Sequence, residues 1–432
     1  MGDPLAYLRA VHFAATIIAA GAVIFEVMVA APAFAAAAGM LDPEIRRLRS
    51  RWSWLVWASL AVAAVSGAIW LVLLAADIYA APIAEVWRDG GMWTVASETR
   101  FGQVSLARLA VAVLLAALLP MLRRSADRGL WSASAVVLAI AVLIGPAWSG
   151  HAGATPGVAG EFPLAADALH LLAAGAWLGG LPPLAMLLAT AWRQKQPRWA
   201  TVTAIAVQRF SLLGVISVST LLASGIVNSW YEVGTLNNLF ATSYGQLVLI
   251  KIALFAAMIA LASINRFYLT PRLATAGTVR RLYHTSLAET GLGFAAVVAV
   301  GFLGAMAPAS HTHHNAAIAE GAAFVHIHSN AGMADVTIMP GRVGAARATI
   351  RLWNDEFKPL AAEKLTFSLM LRAPGAGSKL IMRSPAQDQD GSWTVDGLEL
   401  PQAGNWTVTI DATLVDKRRL LLDAPIVIEP EQ

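Results

Sequence analysis

Long apolar runs separated by short polar or basic segments fill the first 300 residues of the chain. A helix that crosses the hydrocarbon layer needs about 20 mostly apolar residues. Runs that meet this requirement lie near 5–37, 53–77, 104–122, 130–148, 164–191, 206–228, 244–267 and 286–307, which predicts eight transmembrane helices. The first run contains AFAAAAG at 33–39, a leader-like cleavage sequence. It is longer than the apolar stretch of a leader, about 7–15 residues, and it carries His12 and Glu26, so it is read as helix 1. From about residue 320 the period shortens to two, as in NWTVTID, where Trp406, Val408 and Ile410 alternate with threonines. FVHIHS, ADVTIM, ARATIRL, LTFSLML and SKLIMR continue the pattern between Gly, Pro, Asn and Asp. Short alternating runs at this spacing predict an antiparallel β-sandwich of seven or so strands. The fold class expected is therefore a membrane α-helical bundle followed by a small all-β sandwich. Its domains are a membrane domain over 1–308, a His-rich tether over 309–321 and the sandwich over 322–432. No internal repeat is evident at this level.

Composition agrees with the pattern, at 57% hydrophobic and 13% charged residues; soluble domains carry about a quarter charged residues. Basic residues collect in every second connection: Arg46, Arg47, Arg49 and Arg51; Arg123, Arg124 and Arg128; Arg193, Lys195 and Arg198; Arg266, Arg272, Arg280 and Arg281. Such segments stay in the cytoplasm. Both termini, the tether and the sandwich are thus expected outside, which in a Gram-negative cell is the periplasm. The net charge of +4 reports this topology and does not argue for nucleic acid. The chain has no cysteine to staple the sandwich.

Polar residues inside a bilayer are costly and point to function. His12 and His170 each lie about seven residues into their helices, roughly 10 Å deep at 1.5 Å per residue. Asp167 stands one turn before His170, and His151 closes helix 4 in WSGHAGATPG. These four residues are expected to converge on one externally open site, a donor set that suits copper or zinc. Helix–helix hydrogen bonding between the same groups is the competing reading. Glu26 is a candidate inner step of an ion path, and Arg209 and Glu289 are candidates for an ion pair. His311, His313 and His314 cluster in HTHH after helix 8, and His326 and His328 share one face of a strand; both groups are candidate metal ligands. No nucleotide-binding loop, zincin helix or serine triad is present.

SGHA at 149–152, DALHLLAAGAWLGGLPPL at 167–184, QRFS at 208–211, YGQLVLIK at 244–251 and NRFYLTP at 265–271 resemble the copper resistance D membrane family over nearly all of residues 1–308. The sandwich looks like the YtkA-type domain appended to some members. The resemblance implies copper ion as the bound species and copper uptake from the periplasm across the inner membrane. It implies a transporter and no enzyme. Two other readings stay open. One is a membrane redox protein with a b-type haem between His12 and His170. The other is a copper sensor or assembly partner, in which the sandwich docks a periplasmic copper-binding protein.

Overall fold

In the computed structural model the chain divides into two compact units, Met1–Ser310 and His311–Gln432. The structure describes residues 4–36, 43–79, 81–124, 128–149, 158–194, 196–273, 275–304, 306, 321–329, 332–354, 359–373, 376–388 and 390–430. His151, His311, His313 and His314 lie outside the described residues.

Among the described residues the first unit contains eight helices long and apolar enough to span a membrane. They are α1 (Pro4–Ala36), α2 (Pro43–Tyr79), α3 (Arg100–Pro120), α4 (Gly129–Trp148), α5 (Glu161–Gln194), α6 (Pro197–Val233), α7 (Ser243–Arg272) and α8 (Gly277–Leu303). α2 and α6 have 37 residues each, about 55 Å at 1.5 Å per residue. That exceeds the roughly 30 Å hydrocarbon core. The segments with Arg46–Arg51 and Arg198, expected as loops, therefore belong to helix ends that continue past the apolar stretch. Three spans are locally irregular. α1 passes through a π-helical turn at Glu26–Ala30, α7 through another at Ile264–Leu269, and α5 breaks at Gly179–Gly180 before Pro182 and Pro183.

α1 and α5 are the core of the unit. Their most apolar windows are 67% and 72% buried, against 39% or less for the other six spans. They meet through glycine. A Cβ on Gly179 would strike Ile17 O and lie 2.9 Å from Gly21 Cα. A Cβ on Gly21 would strike Gly175 O and Gly179 Cα. Gly21 stands to Gly179 as Ile17 stands to Gly175, so the contact is the same when the two helices are exchanged. This is the mark of a two-fold relation.

The relation extends through the unit and corrects the expectation that no repeat exists. TRFGQVSLAR at 99–108 and TSYGQLVLIK at 242–251 open α3 and α7 in the same way. Thr99 Oγ1 accepts from Gly102 N at 3.0 Å and donates to Val95 O at 2.6 Å. Thr242 Oγ1 accepts from Gly245 N at 2.9 Å and donates to Asn238 O at 2.7 Å. Gly102 and Gly245 each lie under a short helix, Gly91–Glu98 and Leu236–Ala241. An added Cβ on either glycine would strike that helix's backbone, 2.2 Å from Val95 O and 2.3 Å from Asn238 O. α1–α4 and α5–α8 are thus two copies of one four-helix design. Four spans per copy give both copies the same direction through the membrane, the parallel arrangement of repeats.

The second unit is a sandwich of two antiparallel sheets, with strand orders β1-β2-β3-β7-β6 and β5-β4-β8-β9. Its strands are β1 (Ala323–Ser329), β2 (Gly332–Met339), β3 (Gly344–Trp353), β4 (Ala362–Ala373), β5 (Ala376–Arg383), β6 (Ala386–Gln387), β7 (Trp393–Leu400), β8 (Gly404–Leu414) and β9 (Arg419–Ile428). β6, at two residues, is too short for periodicity to reveal. Phe367, Leu369, Trp406, Val408 and Ile410 are fully buried between the sheets, as their alternation requires. That core holds the fold without a disulfide.

The glycine crossing yields a test. Gly179→Val overpacks the α1–α5 contact and is expected to cost about 1–3 kcal/mol or more. The readout is a lower melting temperature and loss of the monodisperse peak on size exclusion in detergent. Gly291→Ala, where nothing lies within 4 Å of the added Cβ, is the matched control and should behave as wild type. Equal behaviour of the two variants would remove the crossing from its central place.

Candidate functional site

The two copies place a histidine in the same setting. His12 Nδ1 lies 3.2 Å from Ser66 Oγ, and His170 Nδ1 lies 3.0 Å from Ser224 Oγ; the sequence separation is 54 residues in both pairs. Each serine donates to the carbonyl one turn back, Val62 O and Thr220 O, at 2.6 Å. The glycine after each serine leaves room for the ring: a Cβ on Gly67 would lie 3.1 Å from His12 Cε1, and one on Gly225 would lie 3.7 Å from His170 Cε1. Such bonds satisfy the ring nitrogens where no water is at hand.

Beyond this shared part the copies differ in charge. Around His12 stand Arg108 and Arg9. Arg108 Nη1 lies 3.1 Å from His12 Nε2, and its Nε donates to Val142 O at 3.2 Å. Arg9 lies over the Trp70 ring, 5.1 Å from its centroid. The corresponding residues of the second copy are Lys251, Asp167 and Asn228. Asn228 Nδ2 donates to Asp167 Oδ1 at 3.5 Å, so the position that stacks in one copy hydrogen-bonds in the other. Leu74 of the first copy is replaced by Glu232, which accepts from Tyr244 Oη at 2.7 Å. Lys251 interacts electrostatically with Glu232, Asp167 and His170. The first site therefore sets the Arg108 guanidinium against its histidine, whereas the second holds two acids and one cation.

A second polar feature belongs to the second copy alone. A cavity of about 200 Å³ is lined by Trp177, Phe210, Asn265, Arg266, Ser286 and Glu289 among others. Glu289 is 3% exposed and Ser286 is 1% exposed. Glu289 Oε1 and Ser286 Oγ have no hydrogen-bond partner among the described residues. Asn265 lines the same cavity as Glu289 and its Oδ1 accepts from Thr285 Oγ1 at 2.6 Å. The π-helical turn of α7 carries Asn265 and Arg266 to this place; such turns interrupt helices at functional sites. α3 and α4 contain no acidic residue, so the first copy has no counterpart of Glu289.

The placement of the expected ligands follows from the helix period. His12 and Gly21 are nine residues apart, as are His170 and Gly179. Nine residues are two and a half turns, so each histidine lies on the face opposite its glycine. The glycine faces meet, and the histidines point away from each other, His12 toward α2 and α3 and His170 toward α6. Among the described residues no three His, Asp or Glu side chains form a group able to hold a metal ion. The expected convergence of His12 with Asp167 and His170 is therefore not found, and a haem bridging His12 and His170 does not fit this geometry. Glu26 pairs with Arg49 at 2.9 Å, which accounts for it without an ion path. Arg209 donates to Met28 O at 3.1 Å and Glu289 is elsewhere, so the expected pair is absent. In the sandwich His326 Nδ1 meets Asp335 Oδ1 at 2.6 Å across β1 and β2, and Asp335 Oδ2 accepts from Trp353 Nε1 at 2.8 Å. His328 stands two residues along the same strand. Ser66, Ser224, Glu232 and Asn228 were not singled out by sequence as parts of these sites. The signal was present in the repeated Ser-Gly pair and in the matched Arg108 and Lys251.

Glu289 gives a direct check. A buried carboxylate that lacks a charged partner gains nothing from its charge. Glu289→Gln keeps the shape and is expected to leave the melting temperature unchanged or higher. A fall of several degrees would reveal a cationic partner at the carboxylate.

The geometry can be set beside known proteins. The family model described as Copper resistance protein D-like, N-terminal domain matches residues 1–161, and that described as Copper resistance protein D matches residues 204–303. Copper transport protein CutJ of Bacillus subtilis (strain 168) is 33% identical over 210 residues, 46% of this chain and 36% of that protein. Inner membrane protein YebZ of Escherichia coli (strain K12) is 32% identical over 190 residues, 43% of this chain and 62% of that protein. Copper resistance protein D of Pseudomonas syringae pv. tomato is 30% identical over 170 residues, 38% of this chain and 54% of that protein. The chain thus spans from about a third to about three fifths of the length of these relatives. No solved structure matches it. Neither family model reaches the sandwich. The first model covers α1–α4 and the second covers α6–α8 from residue 204 onward, and the chain belongs to the copper resistance protein D family.

Proposed function

We propose that the chain is a copper ion transporter of the cell's inner membrane that takes copper up from the exterior. The observation that carries this reading is the charge of the second copy. Asp167, Glu232 and His170 gather near one end of α5–α8, and the Glu289 cavity lies further along the same helices. Relatives named for copper transport and copper resistance support copper as the cargo. Acidic groups attract a cation into a low-dielectric site, and imidazole suits copper among the available metals. Copper would enter beside His170 and leave by way of the Glu289 cavity. Rocking of one repeat against the other is the expected motion for such a fold. The basic segments 46–51, 123–128, 193–198 and 266–281 face the cytoplasm in this reading, so the His170 end of the helices and the sandwich face outward.

His311, His313 and His314 then stand on the entry side, with His326 and His328 following in sequence. They are proposed to collect copper for the membrane site, and a periplasmic copper-binding protein is the proposed donor to this face. Imidazoles bind metal only when neutral.

Cells that express the chain should accumulate more copper than cells with an empty vector. Equal copper would refute transport, and less copper would refute the direction. A periplasmic reporter fused after Gln432 should be active; activity of a cytoplasmic reporter at the same point would reverse the orientation. Replacing His311, His313 and His314 with Ala should lower uptake severalfold at scarce copper and little at abundant copper. Unchanged uptake at every copper level would remove collection from the account.

A further inference from the structure

The cavity of the second copy lies between two helices that are tied toward both ends. Tyr244 Oη of α7 donates to Glu232 of α6 at 2.7 Å. Toward the other end Arg266 Nη1 of α7 donates to Ser211 Oγ of α6 at 2.6 Å. Between these ties Val215, Val218 and Ser219 of α6 and Ile259 and Ala262 of α7 line the cavity. Its floor is the buried part of α5 and α8, with Trp177, Leu282, Ser286 and Glu289.

Glu289 stands one residue from the midpoint of α8, so its carboxyl lies deep in the span. A charge at such a depth is costly unless a partner offsets it. Among the described residues Glu289 Oε1 has no hydrogen-bond partner, and neither has Ser286 Oγ one turn earlier. Arg266 is the one cation among the described lining residues, and no other lining residue is titratable. Its guanidinium is held by Ser211 and lies 5.8 Å from the centroid of the Phe267 ring. α5 contributes only uncharged groups, and α1, which also packs on α8, contributes no described residue to the lining. Glu26 of α1 is paired with Arg49. A carboxyl so placed is cheapest in its neutral form, with the proton on.

The cation is nevertheless close at hand. Asn265, the residue before Arg266, bonds Thr285, which lies one turn before Glu289. Arg266 is therefore about 5.4 Å along the helix from the level of the carboxyl, a span that an arginine side chain covers. We propose that Glu289 is a proton-binding site and that Arg266 becomes its counter-ion when the proton leaves. The carboxylic acid gives a carboxylate and a proton, and the proton passes to water at the exposed Arg266 end. The guanidinium then exchanges Ser211 for the carboxylate, so the new charge meets one already in the cavity. That exchange breaks the tie between α6 and α7 at this end. Proton occupancy of Glu289 thus sets whether the cleft is tied or released. The first copy has no such device, since α3 and α4 contain no acidic residue. The site goes beyond the copper reading and holds whichever ion crosses.

The test is a pH titration by difference infrared spectroscopy of the full-length protein in detergent, without copper. The wild type should show the carbonyl stretch of a protonated carboxylic acid that disappears as pH rises and that Glu289→Gln lacks. Arg266→Gln removes the counter-ion and should move that disappearance up by about 1–3 pH units. Ser211→Ala releases the guanidinium and should move it down. Each variant is checked for a single elution peak; should Glu289→Gln fail to fold, the shifted band of Glu289→Asp makes the assignment. Absence of a band that depends on Glu289 would overturn the proposal. So would a band that persists at every pH, or a titration that Arg266→Gln leaves unmoved. Since no copper is present, these outcomes leave the copper reading to its own tests, and a failure of copper uptake leaves the proton site standing.

Discussion

The close approach of α1 and α5 at Gly21 and Gly179 sets the rest of the membrane unit. No side chain fits between the two helices there, so their backbones touch and the two copies are fixed back to back. Small residues at helix contacts allow this in lipid, where helices gain little from the hydrophobic effect. Because each histidine lies two and a half turns from its glycine, the same contact turns His12 and His170 outward from the shared axis. Each must then find partners within its own four-helix copy, and each finds a serine on the following span. The separateness of the two sites is thus a consequence of how the copies pack.

Within each copy the cost of burying polar groups decides what the site can be. Hydrocarbon leaves a lone pair or a charge no water to turn to. The first copy answers with a guanidinium that donates to the imidazole, to a carbonyl and to a threonine. The second answers with an acid–base cluster of Asp167, Glu232, Lys251, Asn228 and Tyr244, and among the described residues it leaves one oxygen of Glu289 without a hydrogen-bond partner. Unsatisfied groups are expensive in a structural role and useful in a binding role. The partly or fully buried acids Asp167, Glu232 and Glu289 all lie on α5–α8, and that is the physical basis for placing function there.

Much of the architecture was legible in the sequence because it depends on composition over long windows. The eight apolar runs and the period-two strands set the two units, and His12, Asp167 and His170 stood out as polar residues in apolar runs. What hydropathy does not reveal is phase. Whether His12 faces His170 depends on which face of α1 carries Gly21, and many small residues in this run compete for that role. The repeat was also hidden. Its copies agree at a few positions, such as Thr99 and Thr242 or Arg108 and Lys251, while apolar residues between them exchange freely. The partners of the histidines lie on other helices and are fixed by tertiary contact alone.

The claim that copper crosses through the second copy is tested most directly by flux. Purified protein in liposomes, loaded on one side with labelled copper, should transport it in the wild-type form. His170→Ala should abolish that flux, and His12→Ala should retain it in protein that elutes as a single species. Undiminished flux through the His170→Ala protein would contradict the account.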